Sequence, residues 1–265
     1  MDLYNDLDKI LALVKKHATK ILILDFDGTL APIRTHPQKA NITIKTRNLL
    51  QKLSKKRGFY IAILSGRKLQ DLKAKIKLPN IIYAGNHGIE TEIYGKIYTF
   101  PISNKIQSSI SEIAKKLGKI IAKFDKAFIE DKGSVLALHY RLVHKRNIPK
   151  LLIRFDKIIK PYIKNSAVSV TPGKMVYDIC PNINWHKGDF AKFVVKMHTT
   201  LSKTKPLVIF IGDDKSDENV FEKLKGAICI KVGTCISSTK AKYSLKDTKE
   251  VYKFLNLIGG TSNHG

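Results

Sequence analysis

The chain has 265 residues, 43% of them apolar, with 9 prolines and 16 glycines; it can bury a real core, and this composition excludes a disordered or low-complexity polymer. A net charge of +26 raises nucleic acid as a partner, yet residues 1–100, 101–182 and 183–265 carry +10, +10 and +6, so no basic tail or arm stands apart. Only seven of the 48 basic residues are arginine, so we read a dispersed lysine surface that attracts small anions, which speaks against a nucleic-acid groove.

The opening residues Met1-Asp2-Leu3-Tyr4-Asn5-Asp6 are acidic where an export signal would be basic, and no apolar run approaches the roughly 20 residues of a membrane span. A cytoplasmic monomer with no membrane partner is expected. Leu3, Leu7, Ile10, Leu11, Leu13 and Val14 predict an amphipathic helix over 3–18. The run 21–24 is short and apolar, a strand buried on both faces, and it ends in Asp25-Phe26-Asp27-Gly28-Thr29-Leu30. Residues two apart share a side of a strand, so Asp25 and Asp27 start out facing one space while Phe26 turns away. Carboxylates this close repel unless a cation lies between them, and Mg2+ suits a hard, all-oxygen site.

Residues 31–37 form a loop over those carboxylates, and a helix follows over 43–56. The second buried strand, 59–64, ends in Ser65-Gly66-Arg67 before another helix. A hydroxyl and a glycine at a strand-to-helix junction make an anion seat, because free helix N–H groups point at it. A third strand over 80–84 runs into Gly85-Asn86-His87-Gly88-Ile89-Glu90, a turn at which an added module could hinge. The hairpin over 91–98, turning at Gly95, is expected to lead away from the core.

From residue 100 the pattern changes. A helix around 103–117, a strand over 133–141, a helix around 149–160 and strands over 167–171 and 174–179, joined by a Pro172-Gly173 turn, describe an α+β module. The core resumes at Trp185-His186-Lys187-Gly188-Asp189 with a helix to about 201. A fourth strand, 207–211, ends in Gly212-Asp213-Asp214-Lys215-Ser216-Asp217-Glu218, and a fifth, 227–232, precedes a last helix near 247–258. Repeated strand–helix–strand predicts an α/β fold with a doubly wound parallel sheet and ligands at the strands' carboxyl ends. The division is 1–99 and 182–265 for the core and 100–181 for the insert. Cys180, Cys229 and Cys235 are odd in number and lack metal spacing, which argues against both a disulfide framework and a zinc site.

The Asp25–Leu30 string, Ser65, Lys187 in its Lys-Gly-Asp setting and the acidic run from Asp213 together resemble the four motifs of the haloacid dehalogenase-like phosphohydrolases. The resemblance implies a Rossmann-like core under a cap. It makes Asp25 the nucleophile and Asp27 the general acid/base, with Lys187 steadying nucleophile and phosphate. Ser65 and Gly66 then bind phosphate, and Mg2+ is held by Asp25, Asp213 and the Asp27 carbonyl. Asp214 and Asp217 support metal-bound water or Lys187.

Further strings, Leu64-Ser65-Gly66-Arg67, 84–90, Glu130-x-Lys132, His139-Tyr140-Arg141 and Gly173-Lys174, resemble the trehalose-6-phosphate phosphatases along nearly the whole chain. That resemblance implies a small sugar phosphate as substrate, met by Arg67, Asn86, His87, Glu130, Lys132, Arg141, Lys174 and Asp178. It also leaves room for a trehalose-6-phosphate synthase as partner. Carboxylates and lysines suit sugar hydroxyls, each of which both donates and accepts. Asp178 stands where that family usually has Glu, and Cys180 where Arg is common, so sucrose phosphate and the glycosyl-phosphoglycerates stay in view. The alternative from another class is a basic nucleic-acid binder on a phosphatase fold; intact Asp25, Asp27, Lys187 and Asp213 speak against it.

Overall fold

The structure, a computed structural model, describes residues 1–202, 204–233 and 239–260 and divides into two units, each described by itself. Met1–Thr99 with Trp185–Gly265 is the core unit, and Phe100–Asn184 is the inserted unit. Cys235 lies outside the described residues. The first stretch of the core holds α1 (Leu7–Lys16), β1 (Lys20–Leu24), α2 (Ile44–Lys55), β2 (Phe59–Leu64), α3 (Leu69–Ile76), β3 (Ile82–Gly85), β4 (Glu90–Ile93) and β5 (Lys96–Thr99). The inserted unit holds α4 (Asn104–Ile121), β6 (Phe128–Asp131), β7 (Leu136–His139), α5 (Ile148–Lys164), β8 (Val168–Gly173) and β9 (Val176–Pro181). The core then resumes with α6 (Lys187–Ser202), β10 (Leu207–Gly212), α7 (Glu218–Lys223), β11 (Ile228–Val232), β12 (Tyr243–Leu245) and α8 (Thr248–Ile258).

The core sheet runs β12-β11-β10-β1-β2-β3-β4-β5, parallel from β12 to β3. Its strands alternate between two buried faces, which is why they read as unbroken apolar runs. Leu22, Leu24, Ile61, Ile63, Ile209 and Ile211 join a core with Leu50, Leu72 and Phe254 of α2, α3 and α8. Ile21, Ile23, Leu64 and Phe210 join the other core, with Phe190 and Val194 of α6 and Phe221 of α7. Caps fix the helix starts: Thr43 accepts from the Thr46 amide ahead of α2, and Asp247 accepts from the Lys249 and Glu250 amides ahead of α8. The loop before α2 is tied down by Lys75 of α3, whose ammonium donates to the carbonyls of Gln38 and Ala40. Among the described residues, no helix is long and apolar enough to cross a membrane.

Several expectations need correction. The β4–β5 hairpin does not lead away from the core: β4 pairs antiparallel with β3, Ala84 opposite Thr91, and so covers hydrogen-bonding groups that the parallel set leaves free. β12 is a sixth parallel strand, too short at three residues to show any periodicity. In the inserted unit the expected 133–141 strand shrinks to β7, because Gly133 (φ 81°) sits in a turn closed by the Lys132 amide on the Val135 carbonyl. The β8–β9 turn lies at Lys174-Met175, with Gly173 still paired to Val176, and not at Pro172-Gly173. Pro172 is tolerated because β8 is an edge strand of the sheet β6-β7-β9-β8.

His198 of α6 offers a test of core packing. It is 2% exposed, its ring 4.2 Å from the Tyr60 ring and its Nε2 3.3 Å from the Tyr94 hydroxyl. Burial lowers its pKa below the ordinary 6.5. Below that pH the unfolded chain takes up a proton that the folded chain resists, so stability falls with acidification. Urea unfolding should give a lower midpoint at about pH 5.5 than at about pH 7.5, and the gap should narrow in His198→Gln.

Candidate active site

β1 lies between β10 and β2, with Leu24 level with Ile211 on one side and Ile63 on the other. The residues that leave these strands therefore emerge side by side: Asp25, Ser65 and Asp213. The Asp25 amide donates to the Ile211 carbonyl at 2.9 Å, carrying the ladder one residue past the strand end. Phe26 turns into the core, fully buried. The chain then folds back at Gly28 (φ 86°), whose amide donates to the Ala31 carbonyl at 2.7 Å. Only glycine serves there, since a Cβ would stand 2.0 Å from Asp213 Oδ2.

The charges at these tips are buried. Lys187, first residue of α6, donates to Asp25 Oδ1 at 2.8 Å and to Asp217 Oδ1 at 2.9 Å. The other Asp217 oxygen accepts from the amides of Asp213 and Asp214, both at 2.9 Å. Carboxylate oxygens of Asp25, Asp213 and Asp217 lie within 4.8 Å of one another, and all three residues are buried. Burial, with Asp217 and Asp213 beside it, pushes the Asp25 carboxyl well above its usual range against the pull of Lys187. The two carboxylates hold Lys187 in its charged form despite complete burial. Lys187 thus shares a small buried space with three carboxyl groups, an all-oxygen cluster. That donor set fits a hard divalent cation. Asp214 itself turns aside, its carboxylate accepting from the Lys215 amide.

Ser65 follows β2, its hydroxyl accepting from the Arg67 amide and its carbonyl from the His87 amide. Asn86 (φ 48°) and His87 (φ 58°) are both left-handed, a strained turn of the kind that gathers at functional sites. The His87 ring lies against Gly66, where a Cβ would come within 2.8 Å of it. The Asn86 amide donates to the Arg67 carbonyl, and its side chain donates to Glu90. Arg67, expected to touch substrate, has its guanidinium on Asp27, Asp71 and the Pro37 carbonyl.

The other expected contacts belong to the inserted unit. Its register sets Glu130, Ala137, Asp178 and Thr171 in one row and Phe128, His139, Val176 and Gly173 in the next on the same face. Leu136 and Leu138 point oppositely, into the core beneath α4 and α5. On the polar face Lys132, 6% exposed, donates to Asp178 at 3.0 Å. Burial disfavours its charge, but Asp178 and Glu130 outweigh that and raise its pKa. Cys180 is nearby, its thiol pushed up by burial. Arg141 donates to the Lys174 carbonyl, and the Lys174 side chain is exposed. Two pairings escaped the sequence reading. His139 pairs with Glu130 at 2.9 Å and stacks on Phe128; its signal was strand spacing, unusable while β6 was unrecognised. Asp71 pairs with Arg67 four residues earlier, a spacing that could have been read.

The class follows from the sheet and its tips. A B. subtilis haloacid dehalogenase-like hydrolase superposes with a TM-score of 0.63 at 12% identity, covering 92% of this chain and all of that one. The fold is that of the haloacid dehalogenase-like hydrolases. The C-terminal domain of C. albicans trehalose-6-phosphate phosphatase shares it more closely, with a TM-score of 0.85 at 23% identity over 97% of both chains. In sequence, a probable trehalose-phosphate phosphatase of Oryza sativa subsp. japonica is 32% identical over 262 residues, covering 89% of this chain and 67% of that protein. The trehalose-phosphatase family pattern matches residues 23–249, and the chain belongs to that family of phosphatases.

Removing the ammonium should show how strongly the cluster is coupled to the fold. Lys187→Met leaves Asp25 and Asp217 buried without their partner and should destabilise the protein by about 3–5 kcal/mol in urea titrations. Added Mg2+ should recover part of that loss if the cluster takes a divalent cation.

Proposed function

We propose that the chain hydrolyses trehalose 6-phosphate to trehalose and phosphate, through a phosphorylated Asp25. The observation that carries this reading is the buried carboxylate–ammonium cluster at the strand tips of a trehalose-phosphatase family member. Asp25 attacks phosphorus in line while Asp27 gives its proton to the departing sugar oxygen; Asp27 then takes a proton from the water that releases phosphate. Lys187 favours the ionised form of Asp25 and aims it, and Ser65 with Gly66 seats phosphate oxygens. Mg2+ would be held by Asp25, Asp213 and the Asp27 carbonyl, and when bound it would neutralise charge on the phosphoryl oxygens. Asp217 would support that site by holding Lys187 and the Asp213 amide, and Asp214 through metal-bound water.

In this reading Glu130, Lys132, Arg141, Lys174 and Asp178 of the inserted unit contact the sugar, and Asn86 and His87 of the core unit are further proposed substrate contacts. Lys132 already pairs with Asp178, so a sugar hydroxyl would meet a preset donor and acceptor. A trehalose-6-phosphate synthase stays within the proposal as a partner, since the C-terminal domain of a Candida albicans trehalose synthase regulatory protein shares this fold, with a TM-score of 0.75 at 14% identity. A cytoplasmic setting agrees with the unpaired Cys180 and Cys229.

Phosphate release from a panel of sugar phosphates, with and without Mg2+, tests the reading. Trehalose 6-phosphate should turn over fastest and only with the metal, and Asp25→Asn should lose roughly a thousandfold or more. Preference for sucrose phosphate or a glycosyl-phosphoglycerate would replace the substrate and keep the chemistry. Lys174→Ala should raise KM for the disaccharide by about tenfold, and kcat/KM for a small aryl phosphate should hold. Equal damage to both substrates would remove the sugar-reading role.

A further inference from the structure

Arg67 is almost fully buried, and four of its five N–H groups have partners. Nε and one terminal nitrogen grip the two oxygens of Asp27, each at 2.7 Å, as a fork. That same nitrogen donates to the Pro37 carbonyl at 2.6 Å, and the other terminal nitrogen donates to Asp71 at 2.6 Å. The guanidinium also lies over the Phe26 ring, 5.1 Å from its centroid. Its backbone amide donates to Ser65 Oγ and its carbonyl accepts from Asn86. One residue therefore joins the acid after β1, the hydroxyl after β2, the strained turn after β3 and the loop before α2.

Asp27 needs such a partner. Its side chain is 39% exposed, so packing does not fix the plane of its carboxyl group. A bidentate fork does, and a lysine at the same place would not. We propose that Arg67 is a positioning residue that sets the carboxyl plane of Asp27 for proton transfer to the leaving alcohol, with Asp71 and the Pro37 carbonyl holding the fork. The inference rests on the phosphatase reading above. In the step concerned, the bond from Asp25 oxygen to phosphorus forms and the phosphorus–oxygen bond to the sugar breaks. The electron pair stays on the sugar oxygen, which takes the proton of Asp27. The carboxylate left behind is the form that the fork binds.

The test compares kcat/KM for trehalose 6-phosphate and for 4-nitrophenyl phosphate, whose leaving group needs no proton. This quotient covers only the steps through departure of the leaving group, and the ratio of the two quotients is independent of how much enzyme is folded. Arg67→Lys should lower the ratio of sugar to nitrophenyl ester by roughly tenfold, and Asp27→Asn by about a hundredfold or more. In an Asp27→Asn background, Arg67→Lys should change the ratio no further, because the two act through one group. An unmoved ratio in Arg67→Lys overturns the proposal. So does a full additional loss in the double variant, which would mean that Arg67 touches the sugar itself. A wild type that releases phosphate from neither ester removes the phosphatase reading and this proposal with it, whereas active wild type with either adverse result removes this proposal alone.

Discussion

One ammonium set between two buried carboxylates organises the core unit. Lys187 comes from the start of α6, Asp25 from the end of β1 and Asp217 from the turn after β10, so three distant stretches of chain meet at one nitrogen. Burying such charges is costly, and a buried pair is weak evidence for stability. Here a third carboxyl group, Asp213, is buried beside the pair. A fold built for stability alone would replace these groups with apolar ones. Three buried carboxyl groups where strands end are what a cation and an anionic ligand together can use.

The geometry depends on strand register more than on the loops. Leu24 level with both Ile211 and Ile63 makes the residues after β1, β10 and β2 neighbours, and one slipped pair would separate them. Register is in turn fixed by burial on both faces, since each strand sends alternate residues into two different cores. The apolar runs that make the strands recognisable are thus the same feature that places the chemistry. Gly28 and Gly66 then let neighbouring groups close in, on Asp213 and His87 respectively.

That explains which parts could be read in advance. Asp25, Ser65 and Asp213 each follow an unbroken apolar strand, so their placement at the sheet's carboxyl end was legible from the pattern, whereas Lys187 was placed by the resemblance of its Lys-Gly-Asp setting. The three-residue β12 and four-residue β6 carry too little pattern to stand out, and with β6 unseen, the Glu130–His139 pair across β6 and β7 stayed hidden. The hairpin was recognised but sent the wrong way, because the sequence of β4 does not reveal which edge it will cover. The Pro172-Gly173 turn failed differently: turn residues signal a break only when the strand is interior, and β8 is an edge. Arg67 marks the deepest limit. Its string was legible, but whether an arginine faces a ligand or an acid of its own chain depends on tertiary contacts with Phe26, Asp27 and Pro37, which no local pattern encodes.

Asp25 and Asp27 sit two residues apart in one motif, yet the fold gives them opposite surroundings. Asp25 is sealed in and held by an ammonium through one oxygen, leaving the other for the charge cluster. Asp27 is partly open to solvent and held by a guanidinium through both oxygens. A group that attacks phosphorus has to be fixed and kept free of water, whereas one that passes a proton to an alcohol and later takes one from water needs access to both. Environment therefore gives two chemically identical side chains the different surroundings that the proposed division into nucleophile and acid/base requires. The partition begins at Phe26: it stands between the two acids in sequence, its side chain is buried in the core, and the cation that holds Asp27 rests on its ring.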